Sequence, residues 1–462
     1  MWMRLFLLLG LMPVVALAQF DTATRYELGQ RLRYFERALE KYGNDKDNAA
    51  KAIARAIPPV AKATPAFFGG RLTEAARILD TARLSLAEEK PNPEQLWALS
   101  LVVKPARRVV ATQAGDLTVR IERFYKLESP DPQGLSLRLS YGPLPPQTVA
   151  LTKLPTEVRL RWEKLPEGDQ DLKSEVLQGE KLLCRCEQTV SAIAQLEERL
   201  KALQDPENVH PVAAATHKHL TNLLKELASG RTLETNYPAL QLLRDAEAIQ
   251  AGKWEPLRPG QHWLSLPGVS GSPVRLEVPR GLKKEQPVPI VVALHGAGGS
   301  ENMFFDGYGD GLVAKLAIQR GWLVVATRSG LFGGPDVPAV LDALAKIYPI
   351  DSKRVFILGH SMGAAQTAAT IGRAPERFAA AACLGGGGGV KPSEALKKLP
   401  VFVGVGQLDF AARGAKSLAD ALKKAGVENV TFKVYDDLEH LTIVQRALPE
   451  VYALFDRIAQ QR

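Results

Sequence analysis

The feature that most constrains this chain is the pentapeptide at residues 359–363 (GHSMG), together with its two flanking segments. Residues 354–358 (RVFIL) precede it and are apolar enough to form a buried strand, and residues 364–370 (AAQTAAT) follow and are small enough to form a helix packed closely on a sheet. A glycine on each side leaves room for a sharp turn. A G-x-S-x-G sequence between a strand and a helix predicts a turn that exposes the hydroxyl of Ser361 at the top of a sheet.

A glycine-rich loop upstream can supply the backbone groups that such a serine needs. Residues 289–294 (PIVVAL) predict a strand that runs directly into residues 295–299 (HGAGG). The N–H groups of such a loop can point at a developing oxyanion, so we expect Ala297 to provide one donor and Met362 the other. Three neighbouring residues are expected to line the pocket or to shape its loops: His295, Gly296 and His360.

An acid and a base follow Ser361 along the chain. Asp409 comes after the apolar segment 401–406 (VFVGVG), and His440 comes after the segment 431–435 (TFKVY). The order serine, aspartate, histidine is the chain order of the α/β-hydrolase triad. We expect His440 to take the proton of Ser361, while Asp409 orients the imidazole and stabilises the imidazolium.

The identity of the acid stays open at this point. Asp436 and Asp437 lie closer to His440 in sequence than Asp409 does. Either of them is an alternative partner for the imidazole.

From about residue 273 to its C-terminus, the chain resembles secreted α/β-hydrolase esterases of the polyhydroxybutyrate-depolymerase and feruloyl-esterase kind. The resemblance rests on residues 291–299 (VVALHGAGG), on 350–355 (IDSKRV) leading to the pentapeptide, and on Asp409 and His440. It implies a doubly wound, mostly parallel sheet. It also implies ester hydrolysis through an acyl-enzyme at Ser361, without a cofactor or a metal ion.

Three segments of this part of the chain predict crossover helices between parallel strands: 312–320, 337–347 and 412–425. Few residues separate the strand that ends near residue 384 from the strand that starts at residue 401, which leaves no room for a large cap. The run Gly385 to Gly389 within this interval is flexible and builds no apolar wall. The sequence therefore predicts an open pocket with these glycines at its rim.

The N-terminal half predicts accessory structure without a catalytic constellation. Leucines and aromatic residues recur at helical spacing near residues 22–42, whereas apolar and polar residues alternate in segments such as 135–139 (LSLRL). Strands of this length between turn signals indicate a small immunoglobulin-like β-sandwich. The predicted organisation is a signal peptide at 1–18, a helical segment at 19–106, a β-sandwich-like domain at 107–190, a helical segment at 191–253, and the α/β-hydrolase domain at 254–462.

The first 18 residues predict export. Arg4 is followed by an apolar run, and the segment ends in Ala16-Leu17-Ala18, a signal-peptidase pattern that is too short for a stable membrane span. We therefore expect a periplasmic or secreted protein that is not inserted in a membrane after cleavage. The net charge of +9 is spread along the chain without a basic block, which disfavours nucleic-acid binding. Three cysteines do not make a disulfide framework, although a link from Cys184 or Cys186 to Cys383 stays open.

These observations favour an exported serine carboxylesterase that acts on short-acyl or aryl esters, including esters carried on a polymer. A serine peptidase of the prolyl-oligopeptidase type shares the pentapeptide and the order of the triad, although the N-terminal half lacks the repeated four-stranded blades of a β-propeller. The alternative outside enzymes is a binding protein that retains the hydrolase fold without activity. The sequence leaves the oligomeric state open.

Overall fold

The computed structural model describes residues 22–43, 48–88, 90, 92–329 and 334–461. The predicted signal peptide at residues 1–18 lies outside the described residues. Among the described residues, no helix is long and apolar enough to cross a membrane.

Five helices form the first described segment, and the first four share an apolar core that includes Phe35, Leu39, Ile57 and Leu79. They are α1 (Thr22–Gly43), α2 (Ala49–Val60), α3 (Ala63–Phe68), α4 (Leu72–Ala87) and α5 (Pro93–Leu99). Asn92 caps the start of α5 by accepting a hydrogen bond from the N–H of Gln95. Leu441 and Met303 of the C-terminal domain also pack on this core. The N-terminal helices therefore lie against the C-terminal domain as well as against each other.

Two β-sheets follow, and alternate residues of their strands meet in one core, as Leu137 and Leu139 do with Leu117 and Val119. The strands are β1 (Leu101–Pro105), β2 (Val109–Ala111), β3 (Gln113–Arg123), β4 (Leu135–Tyr141), β5 (Gln147–Ala150), β6 (Thr156–Lys164), β7 (Gly168–Gln178) and β8 (Lys181–Ile193). One sheet has the order β1-β3-β6 and the other the order β2-β8-β7-β4-β5. The predicted two-layer β region is thus present, but it starts at Leu101, inside the segment expected to be helical.

Three helices connect the sandwich to the last domain: α6 (Leu196–Ala202), α7 (Pro211–Ala228) and α8 (Ala239–Gln250). Their apolar faces bury Leu220, Leu224 and Leu243 together with Ile193 of the sandwich and Trp263 of the C-terminal domain. This segment consequently holds the other two domains together through one continuous core.

The C-terminal domain is an eight-stranded sheet with helices on both faces. Its strands are β9 (Gly260–Leu264), β10 (Val274–Val278), β11 (Val288–Leu294), β12 (Leu323–Thr327), β13 (Ile350–His360), β14 (Ala380–Leu384), β15 (Val401–Gly406) and β16 (Val430–Tyr435). The order across the sheet is β16-β15-β14-β13-β11-β12-β10-β9, and every pair from β12 to β16 is parallel. This crossed, doubly wound order is that of the α/β hydrolases, so the fold expected for this domain is confirmed.

Helices cover both faces of this sheet, which explains why its central strands are apolar on both sides. They are α9 (Met303–Asp306), α10 (Tyr308–Gln319), α11 (Val337–Ala345), α12 (Met362–Arg373), α13 (Glu394–Lys397), α14 (Ala412–Lys424) and α15 (Thr442–Gln460), with a 3₁₀ turn at Pro375–Arg377. The three predicted crossover helices are confirmed as α10, α11 and α14. The carboxyl ends of the parallel strands open toward one edge of the sheet, where ligands bind in doubly wound folds.

All three cysteines are free thiols in this structure. Burial raises the pKa of Cys383 to about 12 and also raises the pKa of Cys184 and of Cys186. The open question of a disulfide to Cys383 is thereby answered against a bond.

Candidate active site

The pentapeptide forms a strained turn between β13 and α12. Ser361 has φ 56° and ψ −115°, a backbone conformation that side-chain-bearing residues rarely adopt. A Cβ at Gly359 would lie 2.1 Å from the carbonyl oxygen of Gly363, and a Cβ at Gly363 would lie 1.9 Å from that of Leu294. Both positions therefore require glycine. The turn is stabilised because the N–H of Ser361 donates to the carbonyl of Leu384 at 2.9 Å.

A continuous hydrogen-bonded chain starts at this serine. The hydroxyl of Ser361 donates to Nε2 of His440 at 2.9 Å, and Nδ1–H of His440 donates to Oδ1 of Asp409 at 2.8 Å. Asp409 and His440 are 5% and 4% exposed, so the pair is shielded from water. The structure thus brings together the three residues that the sequence singled out from segments 31 to 79 residues apart. The arrangement can abstract a proton from Ser361 and hold the resulting imidazolium.

The carboxylate bonded to His440 is that of Asp409 and not that of either later aspartate. Asp436 and Asp437 are both exposed and lie on the turn after β16. Asp409 is fixed by a second bond, in which the N–H of Ala411 donates to the same oxygen at 2.8 Å. Burial and the hydrogen bond to Nδ1 therefore favour Asp409 as the partner of the imidazole.

A neighbouring carboxylate shapes the loop that carries His440. Glu439 is fully buried, and its two oxygens accept the N–H groups of Leu441 and Thr442, each at 2.8 Å. Burial raises the pKa of Glu439, while these N–H bonds oppose the rise. Glu439 therefore caps the start of α15 in the loop that carries His440.

His360, inside the pentapeptide, links three loops of the site. Because a carbonyl can only accept, Nε2–H of His360 donates to the main-chain oxygen of His440 at 2.8 Å. Nδ1 then accepts the hydroxyl proton of Tyr308 at 2.6 Å, and the Tyr308 oxygen accepts the N–H of Gly296 at 3.3 Å. Burial holds the pKa of His360 well below its usual value. The ring is therefore a neutral spacer, as the sequence interpretation of a structural histidine requires.

His295 has a similar role in the glycine-rich loop. Its Nδ1–H donates to the carbonyl of Gly296 at 2.7 Å, and its Nε2 accepts the N–H of Ser329 at 3.0 Å. Burial lowers its pKa to about 4, which keeps the ring neutral. Ala297 lines the cavity beside Ser361, and Met362 is the first residue of α12. Their assignment as oxyanion donors stays a prediction.

The cavity next to Ser361 has a volume of about 190 Å³ and is mostly apolar. One side consists of the glycine-rich loop, His440 and Leu441. The opposite wall comes from α1, α3 and α4 of the N-terminal segment: Leu28, Leu32, Ala63, Phe67, Phe68 and Leu79. The expectation of a pocket without a cap is therefore wrong, because the N-terminal helices form part of its wall. The cap is supplied by a segment distant in sequence, which no count of residues inside the hydrolase domain could reveal.

The glycine run 385–389 does not lie at the rim of this cavity, contrary to the expectation from the sequence. A Cβ at Gly386 would lie 2.5 Å from the carbonyl oxygen of Ser361, and one at Gly387 would lie 2.4 Å from that of Gly414. Among the residues described as lining the cavity, none belongs to this run. The glycines instead allow three segments of backbone to pack closely behind the turn.

Phe410 forms an exposed aromatic surface on the other side of the base. Its side chain is 63% exposed, and its ring centroid is 4.2 Å from that of His440. Leu408, on the other side of Asp409 along the chain, is also exposed at 41%. Two exposed apolar side chains therefore flank Asp409 along the chain, and neither is among the residues described as lining the cavity.

Sequence reasoning missed Tyr308, Glu439 and the residues of the N-terminal wall. Glu439 lies directly before the predicted base, and its position at the start of a helix is the one signal that could have found it. Tyr308 occurs in the unusual sequence GYGDG (residues 307–311), where glycines flank a single aromatic residue. The wall residues carry no local signal, because their apolar spacing is that of any packed helix.

One family model matches part of the chain. Residues 326–386 match the model described as the prolyl oligopeptidase family. This segment includes the strained turn at Ser361 and ends before Asp409. No curated protein matches the chain in sequence.

Several solved structures are similar to the chain. An S-formylglutathione hydrolase from Staphylococcus aureus is 17% identical, covering 42% of this chain and 98% of that one at a TM-score of 0.35. A feruloyl esterase module from Clostridium thermocellum is 17% identical over 42% of this chain and 87% of that one, with a TM-score of 0.34. A thermostable esterase is 16% identical over 78% of this chain and 99% of its own, with a TM-score of 0.37. Such values carry no information on the substrate of this chain.

The close approach at Gly363 predicts a position-specific loss of stability. Gly363→Ala should lower the Tm by several degrees, because forcing a methyl group against the Leu294 carbonyl is overpacking, which costs about 1–3 kcal/mol. Gly389→Ala is the matched control, since no atom lies within 4 Å of its added Cβ. Thermal unfolding of both variants measures the difference. Equal Tm values would contradict the geometry of the turn.

Proposed function

We propose that this chain is a serine hydrolase that cleaves carboxylic esters through an acyl-enzyme at Ser361. The observation that carries the proposal is the hydrogen-bonded chain from Ser361 through His440 to Asp409, at 2.9 and 2.8 Å. Its first member lies on a strained turn beside an apolar cavity. Strain at such a turn presents the hydroxyl in advance of substrate binding.

In the first half of the reaction, Ser361 Oγ attacks the ester carbonyl carbon while His440 Nε2 takes its proton. Asp409 keeps Nδ1 protonated, so Nε2 is free to accept, and it stabilises the imidazolium that forms. The carbonyl oxygen becomes an oxyanion, which the N–H groups of Ala297 and Met362 would bind. The tetrahedral intermediate then expels the alcohol, which receives the proton from His440.

In the second half, a water molecule attacks the acyl-enzyme. His440 takes one proton of this water and returns it to Ser361 Oγ as the acid is released. The same oxyanion donors serve both steps, so one site carries the whole cycle. The chemistry requires no group beyond these side chains and backbone N–H groups.

The cavity supports an ester with a compact apolar acyl group. An apolar cavity of about 150 Å³ holds a benzene ring, and the volume beside Ser361 is about 190 Å³. Phe67 and Phe68, whose rings meet edge to face at 5.4 Å, lie in the wall opposite the serine. An aryl group or a chain of about six carbons fits this volume.

The alcohol part of the ester belongs on the other side of His440. Because His440 protonates the leaving oxygen, the alcohol lies next to this ring. The ring contacts the exposed Phe410, so a bulky alcohol can extend over Phe410 and Leu408 into solvent. This arrangement is compatible with esters carried on a polymer, which needs an open side.

The tests also distinguish two alternative functions, a peptidase and a binding protein without activity. The match of residues 326–386 to the prolyl oligopeptidase family favours peptide hydrolysis as a second candidate, because peptidases of this class use the same three residue types. A binding protein without activity would keep the fold but would not form a covalent adduct at Ser361.

Two further assignments belong to this proposal. The pattern of residues 1–18 supports export to the periplasm or the medium. The sheet orders β1-β3-β6 and β2-β8-β7-β4-β5, with β2 parallel to β8, support placing the sandwich in the immunoglobulin-like class.

The nucleophile is tested first. Ser361→Ala should lower hydrolysis of p-nitrophenyl butyrate by about 10⁴-fold or more, because the covalent route is lost while folding is kept. A fluorophosphonate probe should label the unaltered protein at Ser361 and leave the variant unlabelled. Labelling with cleavage of an aminoacyl anilide, but not of the ester, would select the peptidase. A folded protein that takes no label would be a binding protein.

The acid is tested by a matched pair of substitutions. Asp409→Asn should lower kcat for the same ester by about 10³–10⁴-fold, because an amide at this place favours the wrong imidazole tautomer. Asp437→Asn should stay within about twofold, since Asp437 is exposed and asparagine tolerates its φ of 55°. A larger loss at Asp437 than at Asp409 would move the acid to the later turn.

The acyl pocket predicts a chain-length optimum. In a p-nitrophenyl ester series, kcat/KM should rise about fourfold per CH₂, at ~0.8 kcal/mol each, until the cavity is filled near about six carbons. Phe67→Trp should shift the optimum to shorter chains and Phe67→Ala to longer ones, whereas Leu182→Ala, on the exposed face of the sandwich, should not shift it. If the acetyl ester gives the highest kcat/KM and substitutions of Phe67 do not change this optimum, the cavity does not hold the acyl group.

A further inference from the structure

Helix α10 begins with a left-handed turn of unusual length. Tyr308, Gly309, Asp310 and Gly311 have φ of 51°, 83°, 56° and 74° in succession. A left-handed conformation costs about 1–2 kcal/mol for a residue with a Cβ, so Tyr308 is held in place by its surroundings. A Cβ at Gly311 would lie 2.5 Å from the carbonyl oxygen of Phe305, which explains one of the glycines.

The group that holds this turn comes from the N-terminal helix α1. Glu36 is fully buried, and its Oε1 accepts the N–H of Tyr308 at 3.0 Å. The N–H groups of Gly309 and Asp310 also stabilise the negative charge of this carboxylate. Successive N–H groups of a left-handed turn form an anion-binding concavity. Burial nevertheless raises the pKa of Glu36 to about 8.

The same helix also contacts the side chain of Asp310 through separate ion pairs, which do not contact Tyr308. Arg33 and Arg37 both bind the carboxylate of Asp310, the latter from Nη2 and from Nε at 3.0 Å each. These ion pairs are partly exposed, and they do not involve the N–H of Tyr308. They therefore offer a matched control for docking of the helix as such.

Tyr308 connects this turn to the candidate active site through hydrogen bonds of its hydroxyl group. Its hydroxyl bonds both the N–H of Gly296, next to the expected donor Ala297, and Nδ1 of His360, next to Ser361. Its ring packs edge to face on His360, with centroids 4.9 Å apart. A displacement of Tyr308 would thus reach the oxyanion loop, the serine turn and, through His360, the carbonyl of His440.

We propose that Glu36 is a positioning residue of the active site, which fixes Tyr308 and through it the oxyanion loop and the base loop. The N-terminal helix is then a required part of the hydrolase and not only a wall of its pocket. This inference rests on the proposed function for its kinetic consequence. Its structural consequence, the order of two loops, does not depend on activity.

The test compares a substitution that removes the hydrogen-bond acceptor at position 36 with one that keeps it. Glu36→Met has similar length and helix propensity but no oxygen, whereas Glu36→Gln keeps an acceptor for the Tyr308 N–H. With p-nitrophenyl butyrate, Glu36→Met should lower kcat by about 10–100-fold with KM within about threefold, because misplacement of reacting groups lowers the rate of the chemical step. Glu36→Gln should recover most of kcat. Arg37→Ala should keep kcat while lowering the Tm slightly.

A double-substitution cycle identifies the route. Tyr308→Phe removes the hydroxyl and should lower kcat, and adding Glu36→Met should cost little more, because both act on the same contacts. Full additivity of the two losses would overturn the proposed route through Tyr308. Equal losses of kcat for Glu36→Met and Arg37→Ala would reduce Glu36 to a docking residue. Glu36→Ala replaces Glu36→Met in the same comparison if the latter does not fold.

Hydrogen exchange separates this inference from the proposed function. Glu36→Met should speed exchange in peptides that cover residues 295–300 and 438–442, and Arg37→Ala should not. Unchanged exchange in both peptides would overturn the positioning role even if the chain is an esterase. If Glu36→Met speeds exchange but the unaltered protein takes no fluorophosphonate label and cleaves no ester, the positioning role is kept and the hydrolase is rejected.

Discussion

The site depends on one close backbone approach, between Gly363 at the start of α12 and the carbonyl of Leu294 at the end of β11. This contact places the serine turn directly against the end of β11, and Ser361 in the same turn has a positive φ. Strand β11 then continues into the glycine-rich loop, so the distance between Ser361 and the expected oxyanion donors is set by the sheet itself. Asp409 and His440 lie on the loops that follow the last two strands, at the same edge of the sheet.

The second layer of the site is a set of neutral or capped side chains that hold loops rather than react. His295 and His360 are kept neutral by burial and use both ring nitrogens for backbone or hydroxyl contacts. Glu439 and Glu36 each bind the N–H groups of a turn. These hydrogen bonds hold the loops of the site in defined positions. Ser361, His440 and Asp409 are therefore held in defined positions, as a preorganised site requires.

Much of the hydrolase domain was predictable from the sequence because its information is local. Buried parallel strands are apolar throughout, the turn at Ser361 needs two glycines within five residues, and the triad follows a fixed chain order. The expected chain of Ser361, His440 and Asp409 is present at hydrogen-bond distances. By contrast, the choice between Asp409 and the later aspartates was beyond the sequence. It depends on which carboxylate is buried and directed at Nδ1, and spacing along the chain does not encode direction.

The sequence by itself determined the fold of the C-terminal domain and predicted the hydrogen-bonded chain of Ser361, His440 and Asp409, because each is encoded in short segments. Only the tertiary structure decided the shape and the completeness of the pocket. The wall comes from α1, α3 and α4, and the hold on Tyr308 comes from Glu36, 272 residues away along the chain. An apolar helix face indicates that another segment covers it, but it does not indicate which segment. A contact between distant segments is set by the packing of the whole chain, so no local pattern records it.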